Sequence, residues 1–213
     1  MRQAASIALF QYWNRLRDGR PAPRRSEIEP ADIRTLLSDT FILERDMRGE
    51  AVFRLAGTRL CGVHGRELKG YSFPSLWRAR DQRLIAKLTQ NVFSGRAVIT
   101  LDYQGVTEKG RASPFELILL PLDGGRESPR CLGLTTAVQK PFWLGADPVL
   151  QALLDSFRVL DPDREPLFLG NRPALATPPL APGEDALGGN GRGGRRVRHL
   201  VVLEGGKDEP EQA

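Results

Sequence analysis

Few residues in this sequence are of types that do chemistry, and they are scattered along the chain. There are two histidines and two cysteines. His64 stands in a segment punctuated by Gly57, Gly62, Gly65 and Gly70. A histidine there could ligate a haem iron; the plainer reading is a hydrogen-bonded side chain with no metal. Photochemistry on a flavin would need a reactive thiol in a polar setting, which Cys61 before Gly-Val-His does not offer. Arg59 and Glu116 are polar residues among apolar neighbours. Glu116 is opposite in phase to Phe115 and Leu117, so it either faces solvent or is a buried carboxylate that pairs with Arg59 or Arg54 and lines a pocket. Trp77 opens an apolar stripe and reads as core, or as the wall of a ligand cavity. Arg59, His64, Trp77 and Glu116 are therefore the candidates for a ligand pocket.

No catalytic residues are expected. Neither histidine lies in a nucleophile-like motif, and there is no Walker loop and no GxGxxG. Cys61 and Cys131 form no CxxC pair, so no metal site is expected, and any cofactor stays unassigned. The net charge is +5, with arginine concentrated at Arg15, Arg17, Arg20, Arg24 and Arg25 and again in GRGGRRVR at residues 191–198. A nucleic-acid-binding surface is one reading of these clusters, and a solvated basic linker is the better one. The longest apolar run, LILLPL, is far too short to span a membrane. With no apolar leader at the start of the sequence, a cytoplasmic protein is expected.

The elements that must carry these residues follow from periodicity. Residues 4–17 read as a helix, with Leu9, Phe10, Trp13 and Leu16 on one face. A short helix is expected at 30–37, and TFILERD and AVFRLAGT read as a hairpin. Residues 58–70 are expected to be irregular, with only short helical turns. Pro74 opens a longer helix to about residue 94, with Trp77, Leu84, Ile85, Leu88 and Val92 as its stripe. Three strands are expected at 97–106, 111–122 and 129–139, joined by tight links and so antiparallel. Leu150, Leu153, Leu154 and Phe157 have the spacing of one more helix.

Several phrases together resemble a proteobacterial family of small proteins that carry a single PAS domain. They are YWNRLRDGRPAPRRSEIEP at 12–30, FRLAGTRL at 53–60, GRELKGYSFPSLW at 65–77, FELILLPL at 115–122, RCLGLTTAVQKPFWLG at 130–145 and HLVVLEGGK at 199–207. The resemblance implies an α+β fold: a PAS-like five-stranded antiparallel sheet with helices on one face, an N-terminal flanking helix and a C-terminal helix and tail. The expected layout is a helical flank at 1–37, the PAS-like domain at 38–145, a helix at 146–160, a flexible Pro/Gly/Arg-rich stretch at 161–196 and an extra strand at 197–206. The implied function is that of a non-enzymatic sensor or regulator in bacterial signalling, acting through a small ligand, a protein partner or both. The alternatives are a haem or other cofactor sensor and a nucleic-acid-binding protein, the latter disfavoured. A homodimer is expected through Leu9, Phe10, Trp13 and Leu16 on the flanking helix.

Overall fold

The computed structural model describes residues 1–95, 97–124 and 129–163, and the backbone of 195–197 and 200–202. Helix α1 spans Ala4–Arg17. After short 3-10 turns come β1 (Thr40–Arg45), β2 (Ala51–Ala56), α2 (Thr58–His64) and α3 (Ala79–Phe93). Four long strands follow: β3 (Val98–Thr107), β4 (Ala112–Leu122), β5 (Arg130–Ala137) and β6 (Val149–Leu160). All lie in one antiparallel sheet, in the order β2-β1-β5-β4-β3-β6.

The middle of the sheet is buried on both faces, which explains why FELILLPL in β4 is apolar almost throughout instead of alternating. Phe115, Leu117 and Leu119 of β4 enter one core, with Ile85, Leu88 and Val92 of α3 and Leu60 and Val63 of α2. Ile118, Leu120 and Leu122 point the other way and form a second core with Leu9, Phe10, Tyr12 and Trp13 of α1. The period of two along each strand sorts these residues onto opposite faces.

Helices α2 and α3 pack on one face of the sheet and the flanking helix α1 on the other, with Ile28 and Ile33 beside it. The strand count needs correction: the sheet has six strands, not five. The sixth is the segment expected as a helix at 146–160, which instead pairs with β3 along its length. Two register shifts on β6 explain the misreading: Thr107 and Val106 pair with Val149 and Gln151, and Tyr103 and Asp102 pair with Leu154 and Ser156. Leu150 and Asp155 are thus the extra residues of two bulges. Each insertion breaks the alternation and leaves apolar residues at helical spacing. The Gly-punctuated segment carries one short helix, α2, which stops at Gly65, where the backbone turns left-handed (φ 62°).

The sheet has one position where glycine is a steric necessity. Gly133 of β5 lies opposite Phe41 of β1, and a β-carbon on it would stand 2.2 Å from Phe41 Cζ. Phe41 is fully buried among Phe53 and Phe73, so it has nowhere to retreat. Gly133→Ala is expected to cost ~1–3 kcal/mol through overpacking. Urea denaturation measures it; an unchanged midpoint would mean that Phe41 is not seated over Gly133.

The chain divides into two units, Met1–Arg172 and Pro173–Ala213. In the second, β7 (Arg195–Val197) pairs antiparallel with β8 (Leu200–Val202). The expected extra strand at 197–206 is therefore two short strands as far as it is described, and residues 203–206 lie outside the described residues. So does nearly all of the expected flexible stretch at 161–196.

Candidate functional site

The four pocket candidates do not meet at one place. Glu116 sits on the back of the sheet, as its phase against Phe115 and Leu117 requires, but that face is covered. Its carboxylate is buried and accepts backbone N–H bonds from Arg2 (2.7 Å) and Gln3 (3.1 Å) at the start of α1. A negative charge there favours the positive end of the helix. The Arg2 side chain bonds Asp102, the cross-strand neighbour of Glu116, at 2.9 Å. Glu116 thus anchors α1 and is not paired with Arg59 or Arg54; Arg54 pairs with Glu44.

His64 and Trp77 belong to the interior between the helices and the sheet. Rings fill this space. Phe73 packs on Trp77, Trp77 on Tyr103 at 5.0 Å, and Tyr103 on Phe115 at 5.1 Å. The gap left between His64, Trp77 and Tyr103 is about 10 Å³, the size of a single water. His64 Nδ1 bonds the Val149 carbonyl at 2.9 Å, so this nitrogen carries the proton. Burial holds the imidazole neutral by lowering its pKa to about 4. A porphyrin does not fit this interior, and the residues around His64 do not form a haem site.

The cysteines are no better placed for covalent chemistry. Burial, with Glu67 at 3.8 Å, raises the pKa of Cys61, and deeper burial raises that of Cys131. Both are protonated thiols, and neither is in a disulfide.

Arg59 is the candidate that does reach a cavity. A cleft of about 260 Å³ opens between α2, the outer ends of β4 and β5, and the loop at 140–145. Leu60, Val63, Phe115, Ala137, Pro141 and Leu144 give it apolar walls, and Asp39, Arg59 and Lys140 supply the charges. Arg59 Nη1 forms an ion pair with Asp39. Burial raises the pKa of Asp39, against the pull of Arg59 and Lys140. Sequence reasoning missed Lys140 and the loop that carries it. The signal available was Lys-Pro just past β5, after Val138 and Gln139, which ends a strand and turns the chain over its own end.

The candidate dimer residues are occupied within the chain. Leu9 and Trp13 are fully buried and Phe10 nearly so, all against the back of the sheet, with Leu16 partly buried beside them. The basic cluster is partly internal too. Arg17 is buried, stacks on Trp13 and bonds the carbonyls of Arg20 and Pro162, while Arg20 pairs with Glu27. No helix among the described residues is long and apolar enough to cross a membrane.

The family model for the PAS domain matches residues 1–136. Among solved structures, the chain is similar to a light-oxygen-voltage domain studied with a flavin analogue: 16% identity, 52% of this chain and 84% of that one, TM-score 0.41. It is also similar to the PAS domain of a protein from Colwellia psychrerythraea (15% identity, 53% and 100% covered, TM-score 0.38). A third is the PAS domain of an HTR-like protein from Haloarcula marismortui (16% identity, 51% and 90% covered, TM-score 0.35). No curated protein matches the sequence.

Proposed function

The chain belongs to the PAS domain family, and from that premise we propose that it is a non-catalytic sensor of bacterial signalling whose small ligand binds in the α2 cleft. The observation that carries this reading is the contrast between the two spaces. The interior is packed with rings to about 10 Å³, whereas the cleft keeps about 260 Å³ with apolar walls and charges beside them. The neutral, internal His64 and the two protonated thiols support a role without catalysis. The unpaired cysteines suit a reducing cytoplasm.

Signal would leave through contacts with protein, including a second copy. The outer edge of β2 is covered by residues 70–73, through Phe53 N–H to Tyr71 O (2.9 Å) and Gly70 N–H to Phe53 O (2.7 Å). The first half of β6 is covered by Arg78 N–H to Ala152 O (2.9 Å) and by Asp81, which accepts from Leu154 N–H (3.2 Å). Beyond Leu154 this edge has no such cover among the described residues, and Phe157 and Val159 are half exposed there. Bare edges with apolar side chains invite strand pairing. The loop at 140–145 both walls the cleft and leads into β6, so an occupied cleft would bias this edge.

Native mass spectrometry of the full chain beside a denatured sample tests the reading. A retained small molecule on a dimer is the expected result. Gly62 lines the cleft, and a β-carbon there would meet nothing within 4 Å, so Gly62→Phe should block the cleft without crowding the core. Loss of the bound mass in G62F is expected. Retention of it would overturn the cleft, and a strict monomer at tens of micromolar would overturn the β6 dimer.

A further inference from the structure

We propose that the cleft takes a small amphiphilic monocarboxylate, one carboxylate on a compact apolar body; this rests on the cleft being the ligand site. Three ionised side chains line it: Asp39, Arg59 and Lys140. One negative and two positive charges leave an excess of one positive charge. Asp39 engages only Nη1 of Arg59, so Nη2 and Nε keep their donors without a protein acceptor among the described residues. Lys140 lies close enough to influence Asp39 but forms no ion pair among the described residues. The site thus lacks one anion for its donors.

The apolar part of the lining selects the body of the ligand. Leu60, Val63, Phe115 and Leu144 offer only apolar surface. The volume lies just below the usual range for drug-sized ligands, which suits about a dozen non-hydrogen atoms. A phosphate monoester carries more than one negative charge near neutral pH and would overbalance the site. A cation would meet two like charges and an Asp39 already held by Arg59.

Three probes with one body and a negative, a neutral and a positive head decide the matter, 3-phenylpropionate, 3-phenylpropanamide and 3-phenylpropylamine, with phenyl phosphate as a fourth for the dianion. Each is titrated into the ¹⁵N-labelled full chain. The carboxylate is expected to shift the amides of Leu60, Val63 and Ala137 and to bind roughly tenfold tighter than the amide, as a charge-assisted contact allows. The amine is expected to bind weakest. Lys140→Gln, at an exposed position, should shrink the carboxylate's advantage and weaken the amide far less. Equal binding of all three, a preference for the amine, or tighter binding of phenyl phosphate would overturn the ligand class while leaving the cleft as a site. If no probe shifts those amides, the ligand class and the cleft reading fall together.

Discussion

Trp13→Ala is expected to remove ~3–5 kcal/mol of stability, the range for truncating a large buried aromatic side chain. Trp13 is fully buried against the back of the sheet and packs on Phe10. Its indole N–H donates to the Pro121 carbonyl at 2.7 Å, and the Arg17 guanidinium lies over the ring at 5.5 Å. Alanine would open a cavity in the core on the back of the sheet, leave the Pro121 carbonyl without that donor and strip Arg17 of its cover. Trp13→Phe keeps most of the apolar contact but loses the hydrogen bond, so a smaller loss, about 1 kcal/mol plus the missing volume, is expected. The pair of variants separates two roles for α1. A helix that only docks a second copy would lose association on substitution and keep its denaturation midpoint. A helix that forms one wall of the domain loses the midpoint at any protein concentration. Denaturation at two concentrations, beside sedimentation, distinguishes them; an unshifted midpoint for W13A would detach α1 from the fold.

That ambiguity shows what periodicity could and could not provide. The stripe Leu9, Phe10, Trp13 placed the helix at residues 4–17, where it lies, because one apolar face at a period of 3.6 is a local property. What covers the face is a long-range property, and a partner helix and a sheet 108 residues away in sequence satisfy the pattern equally. Glu116 repeats the lesson. Its phase set it opposite Phe115 and Leu117 but left open whether that face is wet or buried, and it is α1 that covers it. The strand β6 failed for a local reason, since its bulges at Leu150 and Asp155 rewrite a period of two into helical spacing.

The candidate site was legible only in Arg59. Its helix brings it to the cleft beside Asp39, an encounter that depends on β1 and β2 returning α2 to the turn before β1; Gly57 N–H bonds the Thr40 carbonyl at 2.8 Å there. At Gly57 a β-carbon would collide with the Leu37 carbonyl at 2.3 Å, so this glycine permits the approach that sets Arg59 against Asp39. His64 and Trp77 were chosen for their chemistry, but the same ring surfaces that could wall a cavity fill it. Whether such a space is packed or hollow depends on the rotamers of six aromatic rings at once, which no single residue reveals.

Acidification from pH 7 to about 4.5 is expected to destabilise the domain through His64. Burial lowers its pKa from 6.5 to about 4 in the folded chain. Between those values the unfolded chain binds a proton that the folded chain refuses, so the unfolded state gains as pH falls. The stability at stake is fully present above about pH 6.5 and is lost progressively down to pH 4, in total about 3 kcal/mol. The carboxyls of Asp102, held down by Arg2 and Ser156 against the effect of burial, and of Glu27, held down chiefly by Arg20, lose their contribution as pH falls past their ordinary values of 3.8 and 4.5, so mostly below this window. Asp39, with its pKa raised by burial, acts in the opposite direction. His64→Asn isolates the effect, because an asparagine amide can donate to the Val149 carbonyl in place of Nδ1 but does not titrate. Denaturation midpoints at pH 7 and 4.5 should diverge strongly for the native chain and much less for H64N; equal divergence would remove His64 as the cause. The charge would appear at a joint: His64 ends α2, its acceptor Val149 begins β6, and Gly65 packs on Pro148 just before it. Protonation therefore strains the contact between the helix that walls the cleft and the strand with the bare edge, and amides of α2 and early β6 should broaden before those of α1.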